Sequence, residues 1–172
     1  SHLLAGTLFD YLQGFDLVVD IHNFPKMSMP LVGVHFMRGT VEGQVKVLSL
    51  LQVFKPDYIW HLNTSLDETN KAGSLVEALL DRGVAAFALE APDIEFLSGE
   101  LEEKFVQGVR RVYEKLLNSD FAIRNTDIPI ITRSPAIADN PGIFIPSLPI
   151  GSEVKLGQKI GCIISPDTFA AV

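Results

Sequence analysis

One cysteine, Cys162, stands among 172 residues, which is too few for an internal disulfide or for a metal cluster built on several thiolates. No run of about 20 apolar residues is present to cross a membrane as a helix, because Asp10, Asp16 and Asp20 break the apolar N-terminal stretch. Basic residues form no stripe, and 14 Lys and Arg against 21 Asp and Glu leave a formal charge of −7. Nucleic acid is therefore excluded as a main partner, since its backbone is held by clustered cations that displace counterions. Glycine-rich phosphate or dinucleotide loops are missing, and no serine sits in a nucleophile elbow. The opening Ser-His-Leu-Leu has no Met and no charged leader region of a secretion signal. It reads as a cut start, and the compartment expected is the cytoplasm.

What is present is an ordinary globular composition, 47% hydrophobic and 20% charged, long enough to build a core without disulfide staples. Apolar residues at 4, 8, 9 and 12 have helical spacing, and Gly14 follows as a stop. Asp16 to His22, Leu31 to Phe36, Tyr58 to His61 and Val84 to Glu90 are short apolar runs that read as buried strands. Between them, Thr40 caps a helix over about 41–54, and Ser74 with Glu77 forms a capping box that opens a helix to about Arg82. A longer helix runs from Ser98 to about Asn118, its acidic first turn suited to the positive end of the helix dipole. Such alternation predicts an α/β fold, a mixed sheet with helices on both faces. After Asn118 the texture changes to short apolar pairs separated by Pro and Gly, the spacing of a small all-β module. The division is expected between 119 and 128, with 1–122 in the α/β part and 123–172 in the β module.

Chemistry concentrates at strand ends. Asp20 and His22 lie two apart in a strand and share a face, at the C-terminal end where open α/β sheets gather ligands. His22 there is placed to bind a metal, with Asp20 orienting its second nitrogen; the competing reading is a strand-end His bonded to a loop. Glu90 closes the fourth strand, where burial can raise a carboxyl toward the range of a general base, or it is a solvated strand end. Asp93 and Glu95 follow in a loop and are expected to be solvated. His35 and His61 also close strands. The link from His22 to Leu31 is too short for a parallel crossover, so strand 31–36 runs opposite to strand 16–22 and carries His35 to the far end. The helical link to strand 58–61 carries His61 with it, and both are expected to be structural. Met27 and Met29 either line a pocket or fill the core. Cys162, in an apolar strand, reads as a buried small residue.

These residues resemble a known family. Asp20-Ile21-His22-Asn23 is similar to the Asp-apolar-His-Asn/Ser/Thr motif of the succinylglutamate desuccinylase and aspartoacylase family, relatives of the zinc carboxypeptidases. Phe87-Ala88-Leu89-Glu90 resembles the strand that carries that family's catalytic glutamate, and residues 142–161 resemble its C-terminal β module. The resemblance implies a zinc carboxypeptidase-like fold and one zinc ion per active site. It makes His22 a metal ligand and Glu90 the group that takes a proton from metal-activated water and passes it to the leaving amine. The family's upstream His-x-x-Glu ligands and the Asn-Arg pair after them have no counterpart in these 172 residues.

The function expected is thus that of a zinc-dependent hydrolase cleaving the amide of an N-acyl amino acid or similar small molecule, present as a central and C-terminal piece that lacks two of three metal ligands and is inactive by itself. The alternative is a noncatalytic binding or scaffold domain with the same fold. A third reading draws the missing ligands from another chain. A small-molecule amide is the partner expected; nucleic acid and membrane are not, and self-association through apolar surface stays open. An in-frame His-x-x-Glu encoded upstream of Ser1 separates the truncated enzyme from the binding domain.

Overall fold

A computed structural model of the chain describes residues 2–23, 30–63, 74–92, 99–132, 136–149 and 151–168. Met27, Met29, Asp93, Glu95 and Ser98 lie outside the described residues. The elements in order are α1 (His2–Leu12), β1 (Leu17–Asn23), β2 (Val32–Phe36), α2 (Val41–Phe54), β3 (Tyr58–Leu62), α3 (Leu75–Asp81), β4 (Ala85–Ala91), α4 (Gly99–Asn118), β5 (Ile130–Ile131), β6 (Ile143–Pro146) and β7 (Gly161–Ile164). Among the described residues no helix is long and apolar enough to cross a membrane.

Five strands form one sheet in the order β1-β4-β2-β3-β5. β4 is parallel to β1 and antiparallel to β2, while β2, β3 and β5 run parallel. The opposed directions of β1 and β2 agree with their short connection, yet the two strands are not neighbours, because β4 inserts between them. β4 can occupy the middle because its sequence is almost wholly apolar and small. Ala85, Ala86, Phe87, Ala88, Leu89 and Ala91 are all buried, as a strand covered on both faces requires.

Side-chain alternation then sorts the helices. Phe87 and Leu89 of β4 share an apolar groove with Phe54 of α2 and Val112 of α4, so α2 and α4 cover that face. Ala88 and Glu90 point the other way, into a cavity lined also by Ser74 and Val76 at the start of α3; α1 contacts α3. This is the mixed sheet with helices on both faces that the sequence predicts.

The helix ends are held as their sequences dictate. Gly43 N–H donates to Thr40 Oγ1 at 3.1 Å, and Glu77 N–H donates to Ser74 Oγ at 3.2 Å while Ser74 Oγ donates to Glu77 Oε2 at 2.8 Å. Gly83, at φ +81°, takes the left-handed turn after α3 that a residue with a Cβ adopts at a cost. At the other end of α2, Arg111 of α4 donates to the carbonyls of Val53 and Phe54 at 2.6 and 2.7 Å. A cation there also complements the helix dipole.

β5 corrects one expectation. Their Pro-rich surroundings group Ile130 and Ile131 with the β module, but they pair with Ile59 and Trp60 of β3 in the large sheet. The chain leading to them is tied to α2: Gln52 Nε2 donates to Arg124 O at 2.9 Å and Arg124 N–H returns a bond to Gln52 Oε1 at 3.1 Å. Ser49 Oγ donates to Ala122 O at 3.3 Å. Those bonds satisfy polar groups of α2 that face the core side, which apolar spacing does not reveal. The small all-β part is the antiparallel pair β6–β7, with Phe144 opposite Ile163 and Ile145 opposite Cys162. Cys162 is only partly buried.

Gly108 is the point where α4 closes on α2. A Cβ there would lie 2.6 Å from Phe54 Cε2, with two more ring atoms at 2.8 Å, and Phe54 is fully buried. Gly108→Ala gains about 1 kcal/mol of helix propensity but overpacks a rigid ring, which costs about 1–3 kcal/mol. The expected result in urea unfolding is a net loss of about 1 kcal/mol with an unchanged m value; a gain would show that the two helices can separate freely.

Candidate functional site

The site lies at the C-terminal ends of β1 and β4. These strands are in register so that His22 is opposite Glu90 and Asp20 opposite Ala88. With period-two alternation, Asp20, His22, Ala88 and Glu90 project from one face. They border a cavity of about 290 Å³ whose remaining wall is Val34 and Phe36 of β2, Trp60 and Leu62 of β3, and Ser74, Val76 and Glu77 of α3. The cavity has a polar mouth at β1–β4 and an apolar floor at β2–β3.

His22 Nε2 lies 3.0 Å from Asp20 Oδ2, the imidazole N–H donating. That bond, more than any other influence, raises the His22 pKa above its ordinary value; partial burial opposes it, and the charges of Asp20 and Glu90 add to it. It also fixes the tautomer. With Nε2 protonated toward Asp20, Nδ1 carries the lone pair and is the free donor, the arrangement in which a carboxylate orients a metal-ligating His. Glu90 is partly buried, and desolvation pushes its pKa up; His22 draws it down and Asp20 adds a smaller upward push. The region thus holds one imidazole donor, an orienting carboxylate, and a second carboxyl whose proton is held more tightly than usual.

Zinc fits these residues in part. The imidazole with its hydrogen-bonded carboxylate suits one position of a zinc site, whereas a catalytic zinc takes three protein ligands. Among the described residues no group of three His, Cys, Asp or Glu side chains is placed to hold a metal ion.

His35 and His61 stand apart from this cluster. They are opposite each other on β2 and β3, on the face turned away from the cavity, with ring centroids 4.9 Å apart. His35 is buried and its Nε2 donates to Gln44 O at 3.2 Å. The antiparallel run of β2 against β4 places Val32, not His35, beside Glu90. The three-histidine arrangement is thus ruled out by side-chain alternation, which turns His35 and His61 to the face opposite His22.

The floor and wall residues Trp60, Phe36 and Leu62 carry no site signal in the sequence, and Glu77 figures there only as half of a helix cap. The alternation of Trp60 with Leu62 and of Val34 with Phe36 is legible, but pairing across strands is needed to show that these faces meet. Glu77 is buried, spanned by the Ser74 cap and by Arg38, whose Nη1 lies 3.5 Å away. Arg38 also grips Asp81 with a forked pair of bonds at 2.7 and 2.8 Å.

A mixed α/β sheet thus carries a carboxylate–imidazole pair and a glutamate at its strand ends. Among solved structures, the chain is similar to the succinylglutamate desuccinylase/aspartoacylase of Rhodobacter sphaeroides, with 15% identity and TM-score 0.70 over 99% of this chain and 53% of that one. It is also similar to the ectoine utilization protein EutE (DoeB) of Ruegeria pomeroyi, with 18% identity and TM-score 0.67 over 95% and 54% of the two chains. An aspartoacylase family protein of Mesorhizobium loti gives 18% identity and TM-score 0.66 over 94% and 48%. No family profile matches the sequence, and no curated protein matches it. At these identities the likeness is one of fold, and at that level it bears out the resemblance read from the motifs. The chain spans about half the length of the structures it matches.

Two titrations check the electrostatics. In an Asp20→Asn protein the His22 pKa should fall from above 6.5 to or below that value, read by imidazole NMR; an unchanged pKa would mean the 3.0 Å bond is not formed in solution. His35 is held down at about 4, by burial first and by the neighbouring His61 second, with the Gln44 carbonyl opposing. The unfolded chain takes up a proton near pH 6.5 and the folded one only near 4, so stability is full above 6.5 and is lost as pH falls toward 4. The loss should approach about 3 kcal/mol. A His35→Leu protein should show a flatter stability–pH profile over that window.

Proposed function

We propose that this chain is the central and C-terminal part of a zinc-dependent hydrolase that cleaves the amide bond of an N-acyl amino acid or a similar small amide. The observation that carries the reading is the register of β1 with β4, which sets the Asp20–His22 pair opposite Glu90 on one cavity. The likeness to a succinylglutamate desuccinylase/aspartoacylase and to an aspartoacylase family protein supports an acyl–amide substrate class for this chain as well.

In this reading His22 offers Nδ1 to the metal, and Asp20 holds the ring in the required tautomer and keeps it basic. Zinc, when bound with ligands supplied from elsewhere, lowers the pKa of its water and polarises the scissile carbonyl. Glu90 takes one proton of the attacking water and returns it to the leaving nitrogen, so that the amine leaves neutral and water's other proton stays on the acid until it ionises. Its raised pKa suits that task, because a base that must also act as an acid works best when its pKa approaches the working pH. The apolar floor formed by Phe36, Trp60 and Leu62 receives the carbon skeleton of one half of the substrate and excludes water from that side.

A noncatalytic binding domain is the second reading, favoured by the lack of a three-ligand group among the described residues. Calorimetry and kinetics separate the two. Zinc added to the 172-residue chain should bind no tighter than roughly micromolar, given one strong donor; tight one-to-one binding abolished by His22→Ala would show that the site is already complete. In the protein extended by the sequence encoded upstream, chelator-sensitive hydrolysis of N-acyl amino acids is expected. There Glu90→Gln should lower kcat by roughly 10²–10⁴-fold with little change in KM. Unaltered turnover in that variant would sink the role given to Glu90.

A further inference from the structure

The cavity beside Asp20, His22 and Glu90 is divided by chemistry. Its polar groups sit at the ends of β1 and β4 and at the start of α3, whereas Val34, Phe36, Trp60, Leu62, Val76 and Ala88 make the rest of the wall apolar. Among the described residues that line it there is neither Lys nor Arg. The polar side chains are already engaged with one another: His22 Nε2 donates to Asp20 at 3.0 Å, and Ser74 Oγ donates to Glu77 Oε2 at 2.8 Å. Arg38, the cation that reaches Glu77, forks onto Asp81 and does not line the cavity. A negatively charged group in this space meets Asp20, Glu77 and Glu90 with no lining cation to answer it, and a carboxylate so placed is costly. A hydrocarbon group instead removes apolar wall from water. The volume of about 290 Å³ is nearly twice the roughly 150 Å³ that admits a benzene ring, so a benzyl or isobutyl group fits.

Strand order says which half of the substrate carries that group. Across the sheet from its edge come β1 with His22, β4 with Glu90, β2 with Val34 and Phe36, and β3 with Trp60 and Leu62, about 4.8 Å apart from strand to strand. In the catalytic reading proposed above, the acyl carbonyl lies on the His22 side and the leaving nitrogen within reach of Glu90, which returns a proton to it. The amine half therefore continues past Glu90, away from His22, onto the floor made by β2 and β3. We propose that this cavity is a specificity pocket for the leaving amine, that it takes an uncharged apolar side chain on Phe36, Trp60 and Leu62, and that it rejects an anionic one. The assignment to the amine rests on the catalytic reading; the preference for an apolar over an anionic group rests on the lining of the cavity alone.

Trp60 is the only tryptophan in the sequence, so its emission reports occupancy of the floor without any turnover. N-acetyl-leucine and N-acetyl-phenylalanine, titrated into the 172-residue chain, should shift that emission saturably, with a Kd on the order of millimolar. N-acetyl-aspartate and N-acetyl-glutamate carry the same α-carboxylate and differ only in the side chain, and should bind at least roughly tenfold more weakly. Leu62→Arg, which sets a cation in the floor, should narrow or reverse the difference, with circular dichroism checking that the variant folds. In zinc-loaded protein extended by the sequence encoded upstream, kcat/KM should be at least roughly tenfold higher for the leucine and phenylalanine compounds than for the acidic ones, and hexanoylglycine should gain nothing over acetylglycine. Equal binding of acidic and apolar compounds, or no response of Trp60 to either, would overturn the proposal whatever the activity. Faster cleavage of hexanoylglycine than of acetylglycine would overturn the assignment to the amine. Selective binding with no amide cleaved would sink the catalytic reading, and the assignment to the amine with it, while the apolar selectivity of the cavity stands.

Discussion

The pairing of β4 with β1 on one side and β2 on the other is the constraint from which the rest follows. A strand in that position loses all contact with water on both faces, and β4 meets the demand with alanines, Phe87 and Leu89, all buried. Phe87 and Leu89 fill the face toward α2 and α4, and small Ala86 and Ala88 let α3 approach from the other. The one carboxyl it carries, Glu90, is placed at the strand end where the sheet opens into a cavity. Had the acidic residue fallen one position earlier, the alternation would have turned it into the α4 side of the core, where an unpaired charge is costly.

That same pairing sets up the electrostatics. Register brings Glu90 beside His22, and the i, i+2 relation brings Asp20 to the same imidazole. Asp20 fixes His22 in one tautomer and raises its proton affinity, and burial tightens the hold of Glu90 on its proton. The two remaining strand-end histidines illustrate the opposite outcome. His35 and His61 face each other across β2 and β3, but alternation turns them to the face opposite the cavity, where buried His35 contributes to pH-dependent stability instead.

Much of this was legible in the residues themselves. The caps at Thr40 and Ser74 are local devices, each side chain bonding a backbone N–H three residues on, and local chemistry is what sequence carries most directly. Strand and helix positions followed from apolar periodicity for the same reason. The resemblance to the desuccinylase and aspartoacylase family came from the order of Asp20, His22, Glu90 and the glycine-spaced tail, and it extends to the fold. What could not be read was anything that needs two distant segments to meet: the insertion of β4 between β1 and β2, the membership of Ile130 and Ile131 in the large sheet, and the closing of the cavity by Trp60, Phe36 and Leu62.

By itself, then, the sequence determined which residue types reach which strand ends, because side-chain alternation and capping act over two to four residues. Tertiary structure alone decided which ends come together. Glu90 was undecided between a cleft and open solvent until the β1–β4 register placed it opposite His22. Strand order is set by burying the largest apolar surface over the whole chain, a sum that no short window of sequence contains.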